Sequence, residues 1–392
     1  MKELSVSAGP VITGGCMAAA KSEKPVVAVL LLVVLVLGGL VSLDSGVRGA
    51  LLFGLGLLLG VVFLAFQYGF ASGWRAALEG RKLMPMAAHF MLASLCALAF
   101  IPLSSGGFSG WGLNASGSLA PLSLSLPLGA FMFGIGMQLA NGCGSGVLFS
   151  FGGGSGRMLI ALPCFVIGSL TGSFWLPAVL DWGQLPPVQI GGSLDNWSRL
   201  SLNLLLLGGM AGLLYGFARH RGEQLPPRLV VATLLIALLC VVVFMLAGHP
   251  WGVTFGFTLW GAKLAQLMLE PVSGIAVETW RFWQWPGPAR ALTHSVLADT
   301  SSLMNTGMLI GSALAAATAG RLRDQQWPPR RQLIAAALGG VLMGIGARFA
   351  FGCNIGAFLG GTASGSLHGW VWFGCALAGC SLGIRLRPSF GF

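Results

Sequence analysis

From Leu83 to Gly156 the chain carries no Asp, Glu, Lys or Arg. A soluble domain needs charged side chains on its outer faces, and this stretch has none to offer. Further uncharged runs occupy 25–43, 49–74, 158–180, 200–218, 229–262, 300–320 and 349–384. Each approaches or exceeds the ~20 apolar residues that cross a bilayer as helix. Over the whole chain 55% of residues are hydrophobic, 8% are charged, and the mean hydropathy is +0.82. These values exclude a water-exposed fold. The chain is predicted to be an all-α, polytopic integral membrane protein, since a helix satisfies its backbone polar groups within one apolar segment.

The net charge of +11 gathers at the ends of the apolar runs, as in Arg75/Arg81/Lys82, Arg219/Arg221/Arg228 and Arg321/Arg323/Arg330/Arg331. Basic residues so placed mark cytoplasmic loops, so 219–228 and 321–331 are assigned to that side, and nucleic acid is not an expected partner. The expected organisation is a tail over 1–24, a transmembrane unit over 25–218, a central loop at 219–228 and a second unit over 229–392. The tail mixes charges of both signs and precedes an apolar run too long for a signal-peptide core, so no cleaved leader is expected. Cys16, in "ITGGC", superficially suggests lipid attachment, but no apolar stretch precedes it and Thr13 stands where Leu is wanted.

Eight cysteines do not read as a disulfide framework here. Cys96, Cys164, Cys240 and Cys375 sit inside apolar runs, where a free thiol behaves as a small hydrophobe. Cys375 and Cys380 are about 140° apart around a helix and share no face. The histidines, at 89, 220, 249, 294 and 368, lie at no ligand spacing from any cysteine, so neither a metal nor a cofactor is expected.

Two cysteines differ from the rest. "IGMQLANGCGSG" (135–146) and "IGARFAFGCNIG" (345–356) place Cys143 and Cys353 in the same Gly-Cys-x-x-Gly frame, 210 residues apart. Over 134–146 and 344–356, seven of thirteen positions are identical, including Gly142/Gly352, Cys143/Cys353 and Gly146/Gly356. Gln138 and Arg348 hold equivalent places, and Asn141 and Asn354 flank the thiols in position to cap broken helix ends. A weaker echo joins 53–75 to 255–281. The glycines Gly134, Gly136, Gly344 and Gly346 have the spacing of close helix packing. Gly142, Gly144 and Gly146 instead interrupt a helix too short to span, and irregular backbone at membrane depth is tolerated only where it is buried or lines a cavity. Matched interruptions in two halves point to a transport site. The expected architecture is two pseudo-symmetric repeats whose Gly-broken, re-entrant half-helices meet near the membrane centre.

A thiol at such a break could act as nucleophile, redox partner or hydrogen-bond donor. No His, Lys or Asp lies within four residues of either cysteine, and Arg348 is five before Cys353, so a thiolate is not expected. A neutral S–H donates weakly to soft sulfur, and the N–H groups opening 144–148 and 354–358 favour negative charge. Together they suit a soft anion. Lys263, Glu270, Glu278 and Asp299 read as an internal ion pair or gate, or as residues at helix ends.

The paired Gly-Cys-x-x-Gly motifs resemble the YeeE/YedE family of sulfur-transport membrane proteins, over about 49–384. "QYGFASGWR" (67–75) is similar to that family's first Gly-rich loop, and "ADTSSLMNTGMLIGSALAA" (298–316) to the segment before its second cysteine motif. The resemblance implies a multi-pass protein of the inner membrane that passes thiosulfate, or a related sulfur or selenium species, along a narrow path of thiols. It also implies a small cytoplasmic sulfurtransferase as partner. Carried over, the central thiols are Cys143 and Cys353. The thiosulfate importers have a further cysteine in the first loop, where Gly69 stands here, leaving Gln67, Tyr68 and Ser72 as neighbouring polar groups. The rival readings are a membrane-embedded thiol sulfurtransferase, which lacks a general base beside either thiol, and a non-transporting scaffold subunit.

Overall fold

The computed structural model describes residues 23–105, 109–110, 112–268, 270–322 and 327–392. Cys16, and all of the 1–24 tail but its last two residues, lie outside the described residues. The chain is a polytopic helical membrane protein. Seven helical stretches among the described residues are long and apolar enough to cross a bilayer. The strands are two-residue ladders, Ser109–Gly110 with Leu113–Asn114 and Leu122–Ser123 with Gln184–Leu185.

The helices run α1 (Lys24–Phe66), α2 (Phe70–Leu78), α3 (Met84–Ser105), α4 (Ser125–Ala140), α5 (Gly144–Gly152), α6 (Gly156–Leu180), α7 (Asn196–His220) and α8 (Pro227–Ala247). There follow α9 (Thr254–Met268), the short α10 (Glu270–Ser273) and α11 (Pro286–Thr293), α12 (Thr300–Thr318), α13 (Arg330–Phe349), α14 (Gly360–Ala363) and α15 (Leu367–Leu386). Gly46 divides α1 into two arms: its φ of 66° with ψ of −168° is open to glycine and costly for other residues. Beside that break, Ser45 Oγ donates to Leu297 O and Arg48 Nε donates to Leu246 O.

α4 packs on α13 and α15, α13 packs on α4 and α6, and α1 packs on α12. Water gives these helices no reason to associate inside a bilayer, so close backbone approach must. The motif glycines supply it. A Cβ at Gly136 would lie 2.6 Å from Gly339 O, and one at Gly346 would lie 2.5 Å from Gly129 O. Gly134 meets Ala376 O and Gly344 meets Ser169 N in the same way.

Hydrogen bonds define the two ends of the bundle. At the basic end Leu83 N–H donates to Glu223 Oε1 (2.9 Å), Arg221 reaches Gly80 O (3.4 Å) and Gln332 Nε2 reaches Gly391 O (2.7 Å). At the far end Ser116 N–H donates to Gly248 O (2.8 Å), Ile190 N–H to Gly365 O (2.7 Å) and Leu367 N–H to Val188 O (2.9 Å). The basic clusters around 75–82, 219–228 and 330–331 therefore share one end.

Candidate functional site

Three helix breaks are built alike. α4 stops at Ala140, Asn141 turns left-handed (φ 64°), and Cys143 is extended and N-caps α5. α13 stops at Phe349, Phe351 turns left-handed (φ 58°), and Cys353 is extended and N-caps a π-helical turn, Asn354–Leu359, that continues into α14. α1 stops at Phe66, Gln67 turns left-handed (φ 53°), and Gly69 is extended and N-caps α2. These three are the non-glycine residues at positive φ among the described residues. Each stands two positions before Cys143, Cys353 or Gly69. At the second break a side chain on Gly352 (φ 155°) is also barred, because its Cβ would lie 2.8 Å from Ala357 N.

The structure brings the two cysteine breaks together. Cys143 is 1% exposed and Cys353 0%. A Cβ on Gly144 would sit 3.0 Å from Cys353 Sγ and 3.7 Å from Thr254 Cγ2, so the second thiol lies against the residue following the first. Cys143 Sγ lies 3.5 Å from Ser145 Oγ. Backbone N–H groups of Ile355 and Gly356 are directed at the Cys353 sulfur. Val147 N–H returns to Cys143 O and Ala357 N–H to Cys353 O, both at 2.8 Å, so both turns close in the same way. A Cβ at Gly146 would be 3.4 Å from Cys143 Sγ, Gly142 packs beside Met158, and Gly356 O accepts from Ser118 Oγ (3.2 Å).

Polar groups surround the pair with capacity unspent. Asn354 is buried, and neither its amide nitrogen nor its oxygen has a partner among the described residues. It does not cap the broken end, as its sequence position suggested. Arg348 donates through Nη2 to Thr254 Oγ1 (2.9 Å), while its buried Nε has no partner. Gln138 donates to Ala71 O (3.1 Å) and leaves Oε1 unpaired. Buried polar atoms are nearly always paired, so such a concentration of vacancies marks a place for water or ligand. Asn141 does cap a broken end: it is the left-handed C-cap of α4, with its N–H on Met137 O, while its side chain faces the basic end, where Oδ1 accepts from Arg75 (2.6 Å) and Arg387 (3.3 Å). Gly69 is not brought to the thiols. It lines a small open pocket with Gln67, Tyr68, Ser72 and His89, and neither cysteine borders that pocket.

The charged residues inside apolar runs do not pair with one another. Lys263 donates to Leu292 O, Glu278 accepts from Gln266, Glu270 opens α10, and Asp299 accepts from Ser302 N–H at the head of α12. Burial raises the Asp299 carboxyl above its ordinary range against the lowering effect of those Ser302 contacts. Sequence reasoning missed Thr254, which no motif marks, and Cys380, which spacing set aside. Cys380 is buried on α15 beside Gln138 and close to Cys143. It also missed that the Cys96 thiol meets Cys240 between α3 and α8. Both meetings are made by helix packing alone.

A family model described as "Sulphur transport" matches residues 67–382. "Probable transporter YedE" of Escherichia coli K12 is 32% identical over 163 residues, covering 41% of this chain and 38% of that protein. Its Salmonella typhimurium namesake is 31% identical over 161 residues with the same coverage. The chain thus spans well under half the length of these two relatives. "Thiosulfate transporter TsuA" of Spirochaeta thermophila is 27% identical over 337 residues, covering 81% of this chain and 92% of TsuA.

Proposed function

The chain belongs to the sulphur-transport family, and from that premise we propose that it conducts a sulfur-containing anion across the cytoplasmic membrane through the gap between Cys143 and Cys353. The cargo is thiosulfate or a related sulfur or selenium species. One observation carries the reading: two buried thiols from distant parts of the chain meet where two interrupted helices begin, Cys353 Sγ lying against Gly144.

The residues divide the work by chemistry. Neutral S–H groups on Cys143 and Cys353 donate to the soft terminal sulfur, which thiolates would repel. The N–H groups that open α5 and the 354–363 segment oppose the anion's charge without the hydration that a mobile cation carries. Asn354 Nδ2 and Arg348 Nε are donors with nothing else to bind, and each suits an oxygen of the anion. Close approach of glycine backbone keeps the passage narrow.

The two halves are inverted repeats in this reading, with α5 and 354–363 as re-entrant half-helices. Support comes from the pairing of α4 with α15, mirrored by that of α13 with α6, and from the two segments leading to opposite ends. Gly156, just past α5, sits beside Trp327, whereas Gly365 accepts from Ile190. Gly69 occupies the third break with no thiol. The basic end faces the cytoplasm, and a small sulfurtransferase collects the anion there.

The test is uptake of labelled thiosulfate into proteoliposomes. The wild-type chain should take it up, and Cys143→Ala and Cys353→Ala should lose uptake while remaining monodisperse. A folded wild type that takes up no thiosulfate, selenosulfate or sulfite, or Cys→Ala variants that transport normally, defeats the reading.

A further inference from the structure

We propose that Arg75, Arg157 and Arg387 form a second anion site, separate from the thiol gap, that binds a free divalent tetrahedral oxyanion at the basic end. Arg75 comes from α2, Arg157 from the first turn of α6, and Arg387 from just past α15. Arg75 Nη1 lies 2.6 Å and Arg387 Nη1 3.3 Å from the same oxygen, Asn141 Oδ1. Arg387 Nη1 also donates to Gln138 O at 2.6 Å. The Phe392 ring lies under both remaining guanidiniums, 4.0 Å from Arg387 and 4.7 Å from Arg157. Arg157 Nη2 donates to Gln332 Oε1, and Gln332 in turn donates to Gly391 O.

Every acceptor in this cluster is neutral. Among the described residues no carboxylate forms an ion pair with any of the three arginines, and nearby Glu79 is engaged by Arg81 at 3.1 Å. Three half-buried like charges therefore share one locus, offset among the described residues by no direct ion pair and only at a distance by Glu79, which Arg81 already engages; that arrangement repels itself, and an anion relieves it. The donors are not exhausted either: Arg157 Nε is buried and has no partner among the described residues. Asn141, Gln138, Gln332 and the Phe392 ring hold the guanidiniums in place before any ligand arrives, which lowers the ordering cost of binding. Planar N–H forks match oxyanion oxygens in pairs, and three cations favour a dianion over a monoanion.

This chemistry reads the oxygens of the ligand, whereas the thiols read its soft sulfur. The two sites should therefore accept different sets of anions. Sulfate, which has oxygens and no soft terminal sulfur, should bind the arginines and gain nothing from Cys143 or Cys353. Asn141 is two residues from Cys143, so the arginine site lies directly beyond the gap on the basic side.

The experiment measures binding of labelled sulfate to the full chain in phosphatidylcholine nanodiscs. Saturable binding is expected, weakened by salt, and reduced about tenfold or more by Arg157→Gln or Arg387→Gln as one charge-assisted contact is lost. Arg387→Lys should fall between, and Cys353→Ala should bind sulfate like the wild type even where it no longer transports. A wild type that binds sulfate yet transports no sulfur anion would sink the thiol reading and leave this site standing. Wild-type affinity in Arg157→Gln and Arg387→Gln, both monodisperse and melting normally, overturns the arginine site. So does a wild type that binds no sulfate. If phosphatidylglycerol in the nanodisc abolishes sulfate binding, the cluster holds a lipid headgroup and the free-anion site is wrong.

Discussion

Adding one methyl group at Gly144 should narrow the gap between the thiols at a known distance. The new Cβ would stand 3.0 Å from Cys353 Sγ and 3.3 Å from Cys353 Cβ, with Thr254 Cγ2 behind at 3.7 Å. Non-bonded carbons settle at about 3.5–4.0 Å, so at least half an ångström must be found. Overpacking of this kind costs about 1–3 kcal/mol. Part of it will appear as lost stability and part as displacement of the Cys353 thiol. A displaced S–H forfeits a contact worth about 1 kcal/mol, which corresponds to roughly a fivefold loss of affinity. Gly144→Ala should thus fold with a modestly lowered melting temperature and take up thiosulfate at least about fivefold more slowly at low concentration. Two controls frame the result. Gly146→Ala meets Cys143 Sγ at an ordinary 3.4 Å and should transport nearly normally, whereas Gly136→Ala, at 2.6 Å from Gly339 O, should fail to assemble. Wild-type uptake by a folded Gly144→Ala protein would show that the gap beside Cys353 is not the passage.

Asn354→Leu removes a buried side chain that makes no hydrogen bond, so it should melt no lower than the wild type yet impair uptake; unimpaired uptake would remove Asn354 from the path. Gly69→Cys puts a thiol at the third break, displacing only the Ser72 hydroxyl 2.8 Å from the new Cβ, and should raise thiosulfate uptake several-fold over that of an unrelated anion; no gain in a folded variant would separate that pocket from the path. Cys96→Ala and Cys240→Ala should leave uptake unchanged, which transport assays beside Cys143→Ala would check. The exposed Asp181–Arg281 pair joins the ends of α6 and the loop before α11 at 2.6 Å, and the Arg281 guanidinium holds the Asp181 carboxyl below its ordinary 3.8. A depressed carboxyl contributes stability above its unfolded value and loses it as pH falls through the folded one. Melting curves of Asp181→Asn and wild type should therefore differ, slightly and in a salt-sensitive way, at neutral pH and converge in acid well below pH 3.8; a difference that grows in acid would be inconsistent with the pair.

Much of this could be read from the residues because the bilayer leaves few alternatives. The uncharged runs could only be helices, and the repeated Gly-Cys-x-x-Gly frame located both breaks before any contact was known. The packing role of Gly134, Gly136, Gly344 and Gly346 followed from their spacing. What could not be read is whatever depends on which helix lies beside which. Cys380 sits on a face that no periodicity marks, and it reaches Gln138 only because α15 packs on α4. Arg75, Arg157 and Arg387 stand at the ends of three apolar runs far apart in the sequence, and Asn141, while capping α4 as its context suggested, draws two of them together through its side chain. Gly69 was legible by alignment with Trp74–Arg75, but its pocket, apart from the thiols, was not.

The three breaks carry an implication for descent. At each, a left-handed residue that is not glycine commits the backbone at a cost of about 1–2 kcal/mol, and the surrounding helices, not the residue two places on, must sustain it. The side chain at 69, 143 or 353 is therefore a passenger on a turn built by others. At 69, where a new Cβ meets only Ser72, a single codon change exchanges the chemical group presented while the helices keep their neighbours. If the breaks carry the anion as proposed, a lineage with this scaffold can alter its diet of anions at that socket while keeping its fold.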